Sequence, residues 1–283
     1  MISRRSLVGP ALTAVVVAAA PPSIEAQGHG PIYGLSTPTL GRGGWSVDVA
    51  SMARLVESRE AAMIRPMLSY GLTEDIQVSA SFPVPLAGNG LPAMRGLARM
   101  PMAADVQAML GWRFHRTAPS VGKRWESTAW LGLEVPTDEE RAGVETSPGA
   151  YVALVTGRVS RSWYAWAGAA HRRSRGSGMS RSGDLWMGSV VVGYRPPVFR
   201  DDRARADWRV FLEVVGEWAG RDEVLGETRD TSGGRRIFAG VTFLGLYGWW
   251  GISGGPAIPV HQNRNGTGPE ERLLLVLNVS FWF

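Results

Sequence analysis

The 283-residue sequence contains no cysteine. That absence excludes a disulfide framework, a thiolate nucleophile and any cysteine-ligated zinc site. Histidine is scarce: His29, His115, His171 and His261 are the only four, far apart and without metal-ligand spacing. No metal and no other cofactor is expected. Charged residues make up 19% of the chain, against roughly 25% in ordinary soluble domains. The net charge of +5 is small and scattered, unlike the clustered basic face that nucleic acid requires. Beyond the first 26 residues no run of about 18 apolar residues could cross a membrane as a helix. What the chain does have is 45% hydrophobic residues, 36 glycines and 12 tryptophans. This is too apolar for a disordered chain, and glycine and tryptophan together point to a β-rich, aromatic protein rather than a helical one.

The first residues read as a secretory leader. Arg4 and Arg5 supply a positive start, an apolar stretch runs to Ala20, and Pro21 and Pro22 break it before Ala26. The sequence therefore divides into a signal peptide over 1–26, a periplasmic lead over 27–44 and a barrel over 45–283.

From residue 45 onward the dominant signal is alternation. In 273–283 every odd position is apolar, from Leu273 through Phe281 and Phe283, while Asn278 and Ser280 occupy even positions. The same period of two recurs over 45–55, 76–82, 106–114, 128–135 and 208–218. Less polar segments of similar length cover 61–71, 149–159, 162–171, 184–195, 235–244 and 248–259. About twelve strands of roughly ten residues predict an all-β fold, a transmembrane antiparallel up-and-down β-barrel. A soluble sandwich or propeller is the alternative. It does not need aromatic residues such as Trp45, Tyr70, Trp112, Trp163, Tyr194, Trp218 and Trp249 at both strand ends, where the two interfacial girdles of a membrane barrel would lie.

Connections support this reading. The segments 71–75, 116–124, 160–162, 195–206 and 245–248 read as periplasmic turns. Those at 57–60, 85–100, 136–148, 172–183, 220–234 and 261–270 read as surface loops, longer on average. Twelve strands of this kind enclose a barrel about 24 Å across, with about 10 Å left between the inner side chains unless loops fill it. The polar face lines that lumen: Asp48, Arg54, Arg65, Gln77, Asp105, Gln107, Arg113, Glu126, Glu134, Arg158, Arg209, Glu213 and Glu217. Both signs occur. The rows could act on a passing solute or pair and close the lumen. In an open pore, Gln at 213 and 217 would shift selectivity towards anions, whereas Leu212 and Val214 would face lipid.

Three stretches resemble a known family. Thr39-Leu40-Gly41-Arg42-Gly43-Gly44-Trp45 is similar to its Gly-rich lead into the first strand. Tyr70-Gly71-Leu72-Thr73-Glu74-Asp75-Ile76, followed by Phe82-Pro83, resembles its most recognisable turn. The ending Leu277-Asn278-Val279-Ser280-Phe281-Trp282-Phe283 resembles the signal read by the barrel-assembly machinery, with Phe281 and Phe283 carrying it. The family is that of outer-membrane transporters labelled "MetA-pathway of phenol degradation". Membership implies an outer-membrane barrel with a transport role, and the phenol in the family's name is not carried over as a substrate. The expected setting is the outer membrane of a Gram-negative-type bacterium, in contact with lipid and lipopolysaccharide. The expected function is a porin-like channel for small solutes, with aromatic or hydrophobic ones among the candidates. The alternatives are a non-conducting structural barrel or an outer-membrane hydrolase.

No catalytic group is expected. Gly251-Ile252-Ser253-Gly254-Gly255 matches the nucleophile-elbow pattern, but Pro256 and Pro259 follow where a helix must begin. The basic run His171-Arg172-Arg173-Ser174-Arg175, with Arg181, reads as a surface loop able to attract phosphates. Thr137-Asp138-Glu139-Glu140 reads as a solvated acidic loop.

Overall fold

In the computed structural model, residues 30–57, 59–87, 106–135, 148–174, 181–199, 206–266 and 270–283 are described. The expected signal peptide, Asp105, Arg175, the acidic run at 137–140 and most of the loops at 85–100 and 136–148 lie outside them.

The alternating segments form β1 (Trp45–Val56), β2 (Arg59–Gly71), β3 (Ile76–Ser81), β4 (Val84–Ala87), β5 (Val106–Ser120), β6 (Lys123–Val135), β7 (Gly149–Ser160) and β8 (Trp163–Ser174). They continue as β9 (Leu185–Tyr194), β10 (Asp207–Ala219), β11 (Glu223–Val224), β12 (Glu227–Thr228), β13 (Gly234–Tyr247), β14 (Trp250–Arg264) and β15 (Glu271–Trp282). Each long strand pairs antiparallel with its chain neighbours, and β1 pairs with both β2 and β15. The sheet is thereby closed, so no edge is left unpaired in the membrane. β3 and β4 both pair with β2 and form one stave interrupted at Phe82-Pro83, where proline can donate no ladder bond. The short pair β11–β12 stands apart in the connection after β10. The result is a twelve-stave barrel.

Several strands run beyond their expected ends. The turn expected at 116–124 is mostly strand: β5 and β6 continue to a two-residue turn at Val121 and Gly122, whose φ of 74° suits glycine. Arg116 to Ser120 is exposed on both faces. Hydrophobic alternation cannot report strand outside the apolar band. β8 likewise runs through Arg172 to Ser174, and β14 through Arg264.

The outer surface follows the pleat. Leu131, Leu133, Leu154, Val190, Leu212, Val214, Leu275 and Leu277 are all exposed on it. The aromatic residues, however, are unevenly divided. Contacting pairs Trp45–Tyr70, Trp112–Phe114, Trp163–Tyr194, Trp208–Phe243 and Trp249–Phe281 crowd the end carrying the short turns and the C-terminus. Among the described residues the loop end has Phe82, Trp186 and Trp218. The two expected girdles are one dense belt and one sparse belt.

Candidate functional site in the barrel lumen

Inward positions fall into two sectors. β1, β2, β3, β5 and β6 turn polar side chains inward, whereas β7, β8 and β9 present Tyr151, Ala153, Val155, Tyr164, Trp166, Met187 and Val191. Those three strands are apolar on both faces, which explains their weak sequence alternation.

The apolar sector packs against the chain's own lead. Residues 27–44 were expected on the periplasmic side, outside the barrel. Instead Tyr33, Leu35, Thr37, Thr39 and Leu40 are buried, and their contacts belong to strands all round the lumen. The backbone N–H groups of Ile32, Tyr33 and Gly34 donate to the Glu213 carboxylate at 2.8, 2.7 and 2.7 Å. The Thr242 hydroxyl also meets Glu213. Tyr33 Oη donates to the carbonyls of Gly255 and Leu274, at 2.7 and 3.2 Å. Farther along, Leu35 N donates to Ser189 Oγ at 3.0 Å and Leu40 N to Gln77 Oε1 at 2.8 Å. Thr37 Oγ1 donates to Glu126 at 3.2 Å and accepts from Trp166 Nε1 at 3.0 Å.

The chain bends at 32–34 and returns, so that Gly30 lies beside Ser36 and Trp166. It is a re-entrant loop with its tip on Glu213. Gly34 passes so close to Val191 that an added Cβ would collide with it. The tip can therefore approach the wall only as glycine. Burial and the nearby Glu213 charge push the Tyr33 phenol up from its ordinary value of 10.0, keeping it a donor.

The expected lumen residues sort around this loop. Asp48 takes hydrogen bonds from Ser46 (3.2 Å), Asn278 (3.3 Å) and Ser280. Near the loop end, Glu271 lies between Arg54 at 3.2 Å and Arg236 at 2.9 Å, and Arg236 also reaches Glu217 at 3.8 Å. Arg65 bonds Ser81 at 2.7 Å and Gln107, Gln107 donates to Glu134 at 2.6 Å, and Glu134 pairs with Arg172. Towards the turn end, Arg113 bridges Asp75 at 2.9 Å and Glu126 at 3.4 Å. Arg209 pairs with Asp207 at 2.8 Å.

Three expectations are corrected. Arg158 lies on the outer face of β7, exposed with Val152 and Leu154, because the inward parity there belongs to Tyr151, Ala153, Val155 and Gly157. Glu213 is 1% exposed and bonded to the loop, so it does not line open water. Arg172, read as part of a surface loop, is instead a buried partner of Glu134. Among the expected lumen residues that are described, oppositely charged groups are brought together far more than they are left facing an open bore.

Sequence reasoning missed Glu271 and Arg236. Their bonding follows from the register shift near Leu55 and from the reach of Arg236 across the one intervening strand β14, neither of which alternation reports. Ser253 lies within β14, paired with Leu244 and Asn278, with no strand–turn–helix elbow.

This architecture defines a closed antiparallel β-barrel of the transmembrane class, with its lumen constricted by an N-terminal loop. The fold is similar to that of the COG4313 outer membrane channel from Pseudomonas putida F1, with a TM-score of 0.63 at 12% identity over 91% of this chain and 100% of that one. It is also similar to the NanC porin, with a TM-score of 0.53 at 12% identity over 83% and 98%. No protein-family model matches the sequence, and no curated protein matches it.

Proposed function

We propose that the protein is a passive channel for small solutes, in which the loop at 30–40 sets the bore. The observation that carries this reading is the clamp on Glu213. A barrel needing only a filled core could use side chains alone, yet here a polar backbone segment is threaded through the lumen and held by hydrogen bonds. Such an element can be displaced without disturbing the staves, because their ladder bonds do not depend on it. The channel description of the Pseudomonas putida structural neighbour and the resemblance to the MetA-pathway transporter family support this reading. Export through the signal peptide, assembly by the barrel machinery and contact with lipopolysaccharide belong to the same proposal. No catalytic step is included.

The paired charges and the filled lumen favour a second reading, a closed structural barrel. Single-channel recording in planar bilayers separates the two. The channel reading expects small conductance steps from the intact protein and markedly larger ones after residues 30–40 are deleted. Silence of both folded proteins would establish the structural barrel.

A further inference from the structure

The turn end of the barrel holds a cavity of about 780 Å³ between the re-entrant loop and the hairpin turns. Its lining includes Lys123, Arg124, Arg161, Arg195 and Arg209, and among the described lining residues no carboxylate faces it. Two carboxylates stand behind these cations. Asp207 lies 2.7 Å from Arg195 and 2.8 Å from Arg209, and Glu126 lies 3.2 Å from Arg124 while also serving Arg113. One carboxylate is thus divided between two guanidiniums in each case, which leaves the described lining of the cavity with excess positive charge.

Its inner wall is aromatic. Tyr164 and Trp166 stack at 5.7 Å, and Phe211 packs against both at 6.2 and 6.1 Å. Arg209 lies over the Tyr164 ring at 5.1 Å, which fixes its guanidinium before any ligand arrives. Gly30 and Pro38 complete the wall, so the site abuts the loop that occupies the lumen.

We propose that this vestibule binds a small organic carboxylate with a ring-sized apolar body. Guanidinium groups bind carboxylates through charge-assisted, two-pronged hydrogen bonds, and the cavity volume is of the size that encloses small molecules. This is not the basic run at 171–175 expected from the sequence to attract anions, since Arg172 of that run is buried against Glu134. That the bound anion is a transported solute rests on the channel reading; the site itself does not.

The test exploits a peculiarity of composition. Lys123 is the only lysine in the sequence, so acylation at that position, located by peptide mass analysis, reports on this cavity alone. With the full barrel in phosphate-free detergent, benzoate is the probe, and benzyl alcohol, acetate and inorganic phosphate are the comparators. Benzoate should slow Lys123 acylation in a saturable manner and bind by calorimetry, while benzyl alcohol should do neither. Acetate and phosphate should each bind about tenfold more weakly than benzoate. Arg161→Glu, at an exposed turn, should weaken benzoate at least about tenfold without altering heat-modifiable gel mobility. Arg195→Gln should do the same as a second, charge-neutralising variant.

Equal protection by benzyl alcohol, equal binding of phosphate, or unchanged affinity in both variants would each overturn the carboxylate site. The outcomes stay separate from those for conductance. Benzoate binding to a protein silent in bilayers removes the channel and keeps the site, and a conducting protein that ignores benzoate does the reverse.

Discussion

Three consecutive backbone N–H groups converge on the Glu213 carboxylate, and each hydrogen bond to a charged acceptor is worth about 1.5–3 kcal/mol. Removing the acceptor leaves all three donors facing an apolar sector. Glu213→Ala should therefore free the loop, and the absence of native cysteine makes this easy to measure. Leu35→Cys places a thiol at a buried position. It should react slowly with a polar maleimide in the otherwise native barrel, and at least about tenfold faster when combined with Glu213→Ala. Equal rates would mean that the loop is held elsewhere.

Tyr33 adds a pH dependence to the same anchor. Its folded-state pKa is raised, so the anchored loop keeps its proton where the freed loop, with an ordinary phenol near 10.0, loses it. The contribution of Tyr33 is fully present below about pH 10 and declines as pH rises above it. Protection of the Leu35→Cys thiol should be flat from pH 7 to about 9.5 and fall beyond. Tyr33→Phe should remove that dependence while weakening the anchor by about 1 kcal/mol. A fall that persists in Tyr33→Phe would assign it to another group.

At the scale of elements, the closing seam and one cross-strand pair are the informative features. Phe283 and Trp45 exchange backbone hydrogen bonds of 3.0 Å in both directions, and Phe281 packs on Trp249. The last residues thus complete both the barrel ladder and the dense aromatic belt. Deleting Phe283, or Phe283→Asp, should deplete the heat-modifiable folded form from membranes; full assembly of either variant would show that the seam closes without this residue.

The Glu134–Arg172 pair reaches across β7, whose inward residue between them is Gly149. A Cβ there would stand only 3.0 Å from Glu134 Oε2 and 3.2 Å from Arg172 Nη2. Glu134→Ala would leave Arg172 buried without that partner, a loss of about 3–5 kcal/mol in comparable buried pairs. Its unfolding midpoint should fall clearly, and Gly149→Leu should fall with it because it wedges the same pair apart. An unchanged midpoint in Glu134→Ala would assign the pair no stabilising role.

As a whole molecule the protein is a closed wall around a lumen that its own N-terminal segment occupies. Closure and the outward apolar band predict that the mature protein sediments with outer membranes and migrates faster on gels when unheated. Recovery as a soluble periplasmic protein would contradict the barrel's placement. The occupied lumen explains why substituting Glu213 and Glu217 is not a simple selectivity experiment. Glu213 holds the loop, and Glu217 belongs to the Arg54–Glu271–Arg236 cluster, so their variants should change the bore before they change which ions pass.

The sequence by itself determined the number of strands, their approximate positions and which face of most of them is apolar. The pleat alternates with a period of two, so lipid on one side imposes its preference on every second residue, as in 273–283. It also placed Asp48, Arg54, Gln107, Glu126 and Glu134 on the inner face, by parity alone. Where both faces are apolar, as in β7 to β9, parity is silent, and a lumen position expected for Arg158 falls on the wrong side. Only the tertiary structure decided what the inner face meets. The approach of Glu213 to residues 32–34 spans about 180 positions along the chain, and that of Arg236 to Glu271 depends on a strand register. No local pattern encodes either contact. Closing the barrel brought these groups together, and the aromatic and aliphatic side chains on one side of the lumen gave the N-terminal segment an apolar surface to pack on.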